Sequence, residues 1–340
     1  MKAAFLVKNG KPSEAFEIRE TEMPEIQPHE VLIKVHYSGL NFADVLARLG
    51  MYPDAPKPPS VVGYDVSGEI VKVGKDVEGL QEGDVVAAMS RFGGYAEYVA
   101  TNALAVVKIN DAIDLNIAPA LATQACTALY SAEEMVRLHP GDHVLVHSAA
   151  GGVGSILVQI AKHHGCVVYG TVGSDEKFEM LSEIGVDHPI NYKKSAFDQE
   201  FLKINPGGAD VIFDAVGGTT LKKGMKLLNS GGRLVAYGGA QMTEAKNVFQ
   251  KIKIGLSFGF YHPIVFIKGS KSMLGVNMLR IADDKPDILN RVLKRVVELV
   301  KDGIIKPKLG AEFKAEEIDK AHALLESGKS QGKIVVRWDH

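Results

Sequence analysis

His143-Val144-Leu145-Val146-His147, followed without a break by Ser148-Ala149-Ala150-Gly151-Gly152-Val153-Gly154, is the stretch on which the fold turns. A short apolar run leads into glycines, and a helix opens directly behind them. Val153, Ile156, Leu157, Ile160 and Ala161 recur at helical spacing and give that helix one apolar face. Strand, tight turn and helix together match the dinucleotide fingerprint G-x-G-x-x-G, with Ala149 in the first glycine position, Gly151 in the second and Gly154 in the third. The residue types follow from the chemistry. Gly151 lets the backbone approach a pyrophosphate, and Gly154 lets the helix pack on the strand. The N–H groups along Ala150, Gly151, Gly152, Val153 and Gly154, with the helix dipole, then hold the phosphates. Ala149 departs from the strict pattern and implies a slightly different turn.

Outward from this turn the chain keeps the same rhythm. Cys166–Val172, His188–Tyr192, Asp210–Ala215, Arg233–Tyr237 and Ser272–Val276 read as further short strands, with a helix at Glu176–Ile184. Six strands alternating with helices predict a doubly wound parallel sheet over 119–282. Residues 1–118 read instead as strands and turns: Lys2–Val7, Val31–Tyr37, Val66–Val73 and Asp84–Met89. Between them, Tyr52-Pro53-Asp54-Ala55-Pro56-Lys57-Pro58-Pro59 can be neither helix nor central strand, because proline fixes φ and lacks a donor. After 283 come two amphipathic helices, Asp287–Asp302 and Ala315–Ser327, and a last strand, Lys333–Trp338, expected to rejoin the first domain. The predicted division is therefore 1–118 with 283–340, and 119–282.

Composition narrows the function classes. A chain of 340 residues suggests two domains. A formal charge of −2 gives no bulk field for nucleic acid or an anionic membrane. Two cysteines, Cys126 and Cys166, exclude a disulfide scaffold. No leader and no membrane-spanning apolar run is visible, so a cytoplasmic protein is expected. The histidines and cysteines show no tight ligand spacing, and His163-His164 face different ways on a helix, so no metal is expected.

The cofactor type is read at the second strand. A site for NAD usually has an acid there to bind the ribose 2′-OH. Here the strand ends Gly170-Thr171-Val172-Gly173-Ser174, with Lys177 and Tyr192 following. A small residue, a cation and a phenol suit a 2′-phosphate, so NADP(H) is expected. Asp175 and Glu176 leave the alternative of a ribose contact.

These motifs resemble the medium-chain dehydrogenase/reductase superfamily, and within it the zinc-independent NADPH:quinone oxidoreductases and their VAT-1-like branch. The marks are Gly39–Asp44, Gly63–Gly74, Glu82–Val86, Gly94–Tyr98, the Ala149–Gly154 turn and Phe213–Gly218. His188–Tyr192 and the segment 246–271 resemble the VAT-1-like branch. The resemblance implies an α/β chain: a GroES-like β-rich catalytic domain made from both chain ends, plus a Rossmann doubly wound parallel sheet, with the active site in the cleft. It implies a homodimer through Ser272–Val276. Asn41, Asp44 and Tyr52 would line the substrate pocket. Thr127 would touch the nicotinamide region, and Gly173, Ser174, Lys177 and Tyr192 the adenosine phosphate. Val216, Tyr237, Gly238 and Asn277 would lie along the cofactor. Zinc-dependent relatives carry cysteine at the place of Ser38 and Gly-His-Glu at the place of Gly63-Tyr64-Asp65. Leu46 stands where some quinone reductases have an aromatic.

The activity so implied is hydride transfer from NADPH to a quinone or an α,β-unsaturated carbonyl. Asn41 and Tyr52 would act as donors or orienting groups, with Asp44 holding the loop. Tyr52 can equally pack against the proline-rich loop. The alternatives are an enoyl-thioester reductase on the same fold, and a cofactor-binding protein associated with a membrane or lipid. The latter rests on the apolar run Ile254–Ile267, flanked by Lys246, Lys251, Lys253, Lys268 and Lys271. That run reads equally as a lid or a dimer-interface loop.

Overall fold

The computed structural model describes residues 1–109, 113–245 and 247–339. Its contacts form two compact units, Met1–Cys126 with Met278–His340, and Thr127–Asn277. The sequence reading places the breaks at 118/119 and 282/283; the contacts place them at 126/127 and 277/278.

In the second unit six parallel strands run in the order His188–Asn191, Val167–Val172, His143–Val146, Ala209–Asp214, Leu228–Ala236, Ser272–Gly275. The chain thus winds one way for three strands, returns beside the first, and winds the other way. That reversal sits between His143–Val146 and Ala209–Asp214, the switch point where doubly wound sheets bind ligands beyond their carboxyl ends. The strands read as near-continuous apolar runs because both faces are covered. Leu145, Tyr169, Phe201, Ile212 and Leu234 are fully buried in one cluster.

The first unit is built around Glu30–Leu40. This strand is longer than its apolar alternation suggested, because different partners use different parts of it. Asp65–Val73 runs along one side. On the other, Tyr98–Asn102 pairs with residues 30–34 and Lys333–Arg337 with residues 37–40. The C-terminal strand therefore does rejoin the N-terminal sheet, with Val336 opposite Ser38. Leu309–Lys314 adds a parallel strand outside it. Leu309, Ala311 and Phe313 alternate with Gly310, Glu312 and Lys314, a strand pattern that the sequence reading passed over between its two helices.

The helix Phe42–Arg48 was also not anticipated. It is short, and its signal lies in its cap rather than in a stripe. The segment after residue 247 forms two helices, Val248–Ser257 and Pro263–Gly269. Phe249, Phe260 and Ile267 on this segment are largely exposed. Lys246, named above as a flanking cation, and the side chain of Lys251 lie outside what the structure describes. Among the described residues no helix is long and apolar enough to cross a membrane.

Candidate active site

The glycine-rich turn is built by a short left-handed step. Ser148 has φ +54°, and its N–H donates to Thr171 Oγ1 at 3.3 Å. The Gly151 N–H donates back to Ser148 O at 2.8 Å, and the helix Gly152–His163 begins. No side chain caps that helix, so its first N–H groups face outward as an anion site. A Cβ on Gly154 would stand 2.3 Å from Ser148 O, so only glycine lets helix and strand approach this closely. Ala149, the departure from the fingerprint, is fully buried. Its methyl is accommodated by Gly170 on the next strand, where a Cβ would lie 2.9 Å away.

At the tip of the second strand, Tyr192 covers Gly173: a Cβ there would meet the phenol oxygen at 2.9 Å and Lys193 Cε at 3.4 Å. Lys177 is half-buried, and its pKa is lowered by burial and then by the charge of Lys193. Two cations so placed repel each other unless an anion joins them. Lys193 was missed in the sequence because only the turn after Asn191 brings it back over Gly173. Of the two acids left open as ribose ligands, Asp175 accepts from Asn191 Nδ2 at 2.6 Å and pairs with Lys194, and Glu176 is exposed. Ser174 precedes the turn Asp175–Lys177 with extended backbone.

Deeper in this unit the Val216 and Gly217 N–H groups donate to Asp214 Oδ1 at 2.6 and 3.0 Å. Asp214 Oδ2, the Tyr237 hydroxyl and His147 Nε2 are buried without hydrogen-bond partners in the protein. Gly238 closes on Ala215 so tightly that a Cβ would meet its carbonyl at 2.5 Å. Thr127 is buried, and Asn277 is exposed after the last strand. A bare helix N-terminus, a backbone cradle and orphaned polar atoms at the switch point fit a dinucleotide. His147 carried no sequence signal beyond its place before the turn.

In the first unit Asn41 begins the helix Phe42–Arg48. Its N–H donates to Asp44 Oδ2 at 2.8 Å, and the Asp44 N–H donates to Asn41 O at 2.9 Å. The Asn41 side chain is engaged elsewhere. Nδ2 donates to Asp65 Oδ2 at 2.8 Å, and Oδ1 accepts from Lys333 Nζ at 3.0 Å. Lys333 and Asp65 form a fully buried ion pair at 2.5 Å. Asp65 Oδ1 accepts from the N–H and Oγ1 of Thr123, at 3.1 and 2.5 Å. Sequence reasoning found Asn41 and missed Lys333, Asp65 and Thr123 as its partners. Tyr52 is half-buried on the core, with its ring edge-on to Phe92 at 6.5 Å. Ser38 is also spent: it donates to Gly94 O at 2.5 Å and accepts from Trp338 Nε1 at 2.9 Å. Among the described residues no three His, Cys, Asp or Glu side chains gather as a metal site.

Comparison with known proteins agrees with both units. Residues 27–111 match the model of the alcohol dehydrogenase GroES-like domain, and 152–293 that of the zinc-binding dehydrogenases. The chain is 32% identical over 338 residues to the synaptic vesicle membrane protein VAT-1 homolog of Danio rerio, covering 98% of this chain and 67% of that protein. Its fold is similar to that of the Escherichia coli quinone oxidoreductase complexed with NADPH, with TM-score 0.87 and 25% identity, over 99% of this chain and 100% of that one. It is also similar to the CurK enoyl reductase, with TM-score 0.84 and 25% identity, over 99% and 98% of the two chains.

Asp44 gives this site a pH dependence. Burial raises its carboxyl to about 7, against the Asn41 N–H, which lowers it; Asp65 pushes the same way as burial and Lys333 the opposite way. Its Oδ1 and the Tyr95 hydroxyl make no hydrogen bond of normal geometry, yet the phenol also lowers the carboxyl. Between about 4, the range of an unfolded aspartate, and about 7 the folded chain holds a proton that the unfolded chain releases. Stability from this group is therefore lost as pH rises through that window and is constant above it. Asp44→Asn keeps an acceptor for the Asn41 N–H and removes the titration. In urea unfolding, wild type should lose stability relative to Asp44→Asn between about pH 4 and about pH 7, by at most roughly 4 kcal/mol. A gap that stays constant across that range would rule out titration of Asp44.

Proposed function

We propose that this chain, which belongs to the medium-chain dehydrogenase/reductase superfamily and within it to the quinone oxidoreductase and VAT-1-like family, reduces a quinone or an α,β-unsaturated carbonyl with NADPH. One observation carries the reading of the acceptor. Ser38, at the place of the cysteine of zinc-dependent relatives, is committed to Gly94 and Trp338; where they have His-Glu this chain has Tyr64-Asp65, with Asp65 committed to Lys333, Asn41 and Thr123. Such a site suits an electron-poor carbonyl, which needs orientation and a hydrogen bond to its developing oxyanion.

When bound, the dinucleotide supplies the hydride. The chain's own residues do the rest. The helix opening at Gly152 binds the pyrophosphate, with Ala150, Gly151, Val153 and Gly154 giving it room. Thr127, Val216, Tyr237, Gly238 and Asn277 line the nicotinamide end. Lys177, Lys193, Tyr192, Gly173 and Ser174 bind the 2′-phosphate, and Asp175, committed to Lys194 and Asn191, is not free to bind a ribose 2′-OH; Glu176 is the acid that remains exposed there. Asn41 donates to the acceptor oxygen, Tyr52 orients the acceptor, and Asp44 fixes the Asn41 backbone. The proton comes from water.

The decisive assay is NADPH oxidation against a panel of quinones, enones and an enoyl-CoA, with NADH in parallel. Turnover of a quinone or enone above that of the enoyl-CoA is expected. The reverse order would establish the enoyl-thioester reading, which the likeness to CurK supports. Tight NADPH binding with no turnover would leave the lipid-associated binding role.

For the cofactor, Lys177→Ala and Lys193→Ala should each weaken NADPH binding by about tenfold, as expected for loss of a charge-assisted contact, and NADH binding by far less. Equal losses for both dinucleotides would remove these lysines from the 2′-phosphate.

A homodimer is part of the proposal. Ser272–Gly275 ends the parallel sheet and, among the described residues, pairs on one side only. Such a free edge suits a second copy. Sedimentation velocity at micromolar concentration should give a dimer. A monomer would instead favour a lipid surface as the cover for Phe249, Phe260 and Ile267, and vesicle flotation would then be the next measurement.

A further inference from the structure

We infer that Lys333 and Asp65 are positioning residues for the reduction, acting through the Asn41 side-chain amide. The inference deepens the proposed function, since it rests on Asn41 being the donor to the acceptor oxygen.

The charges around Asn41 leave its amide one orientation. Its oxygen meets the Lys333 ammonium and its nitrogen meets the Asp65 carboxylate. A flipped amide would set N–H groups against a cation and an oxygen against an anion, and both contacts would become repulsive. The pair itself is fully buried, so it is screened little by solvent. One N–H of the amide is taken by Asp65, which leaves the second to offer. Lys333 draws electron density toward Oδ1, which strengthens that remaining N–H as a donor. The Asp65 carboxylate on the other N–H balances the charge of Lys333, so what the pair supplies at the oxyanion is an amide N–H held in one direction.

The surrounding sequence is arranged to admit this lysine. A Cβ on Gly39 would lie 2.3 Å from Lys333 Cε and 2.9 Å from its Nζ. Asp65 is held from its other side by Thr123, whose N–H and hydroxyl both donate to Oδ1. The carboxylate is therefore fixed at both oxygens before Asn41 engages it. Replacing a buried ion pair by neutral groups is often neutral for stability, which is what makes cohesion and positioning separable.

The test uses the full chain with NADPH and the best quinone or enone. Lys333→Met alone leaves Asp65 buried and unpaired and can fail to fold, so the double variant Lys333→Met/Asp65→Asn carries the measurement. It removes both charges and keeps the shape. Expected are an unfolding midpoint close to wild type, an NADPH Kd by fluorescence titration within about threefold, and kcat lowered by about tenfold to a hundredfold with little change in KM. Lys333→Arg, which restores the cation, should recover part of kcat. A folded double variant with wild-type kcat overturns the role of Lys333 and Asp65 alone. Should the double variant not fold, Asp65→Asn alone decides: folded with kcat lowered at unchanged NADPH Kd supports the role, and folded with wild-type kcat and KM overturns it. Wild type that binds NADPH and reduces no quinone or enone overturns the proposed function, and the positioning role with it.

Discussion

The buried ion pair between Lys333 and Asp65 is the constraint on which the first unit depends. Two charges removed from water are tolerable only when each is met by its opposite and by hydrogen bonds. Here the carboxylate accepts from Lys333, Asn41 and Thr123, and the ammonium has two acceptors. The partners lie on four separated stretches of chain. The pair therefore joins the strand Lys333–Arg337, which pairs with Glu30–Leu40, to the helical segment Leu121–Ala125, whose Thr123 holds the other oxygen of Asp65. Strand order, the glycine at 39 and the cap of the helix Phe42–Arg48 meet at one charge.

The second unit obeys a different rule. It is set by backbone rather than by charge: a parallel sheet whose strands end together, and a turn narrow enough to leave N–H groups pointing outward. This difference explains what was legible. The glycine turn, the six strands and their alternation with helices are local patterns, and the residues Ala150 to Gly154 could be named directly. Gly170 as the reason Ala149 is tolerated was not legible, because nothing in a linear pattern reveals which strand lies beside the turn. Lys193 was missed for a similar reason, since its neighbour Tyr192 carried the more visible signal.

In the first unit, Asn41, Asp44 and Tyr52 came from resemblance, and their physical roles had to come from contacts. Asp44 read as a loop residue, yet it is the N-terminal acceptor of an unforeseen helix. Lys333 read as the start of a strand, where a lysine ordinarily signals an exposed edge. It lies instead in a central strand, at a position where the absence of a Cβ on Gly39 opens a space for its side chain. Asn41 and Lys333 are about 290 residues apart; no periodicity spans such a distance.

Three fully buried carboxylates show how the chain divides its polar work. Asp44 lacks a cation partner of its own, and burial keeps its carboxyl close to neutral. Asp65 is matched by Lys333 at 2.5 Å. Asp214 accepts two backbone N–H groups on one oxygen and leaves the other unpaired among Tyr237 and His147. The first is a cap, the second an anchor for an amide, and the third a group left open at the end of the parallel strands. Burying a carboxylate is costly in each case. Asp44 and Asp214 each keep one oxygen without a hydrogen bond: that of Asp44 lies beside the Tyr95 hydroxyl, and that of Asp214 lies in the unit whose turn is shaped for a dinucleotide. An unpaired oxygen therefore does not by itself mark a binding site: on Asp44 it belongs to a helix cap, and on Asp214 it stands with His147 and Tyr237 at the carboxyl ends of the parallel strands, where doubly wound sheets bind their ligands.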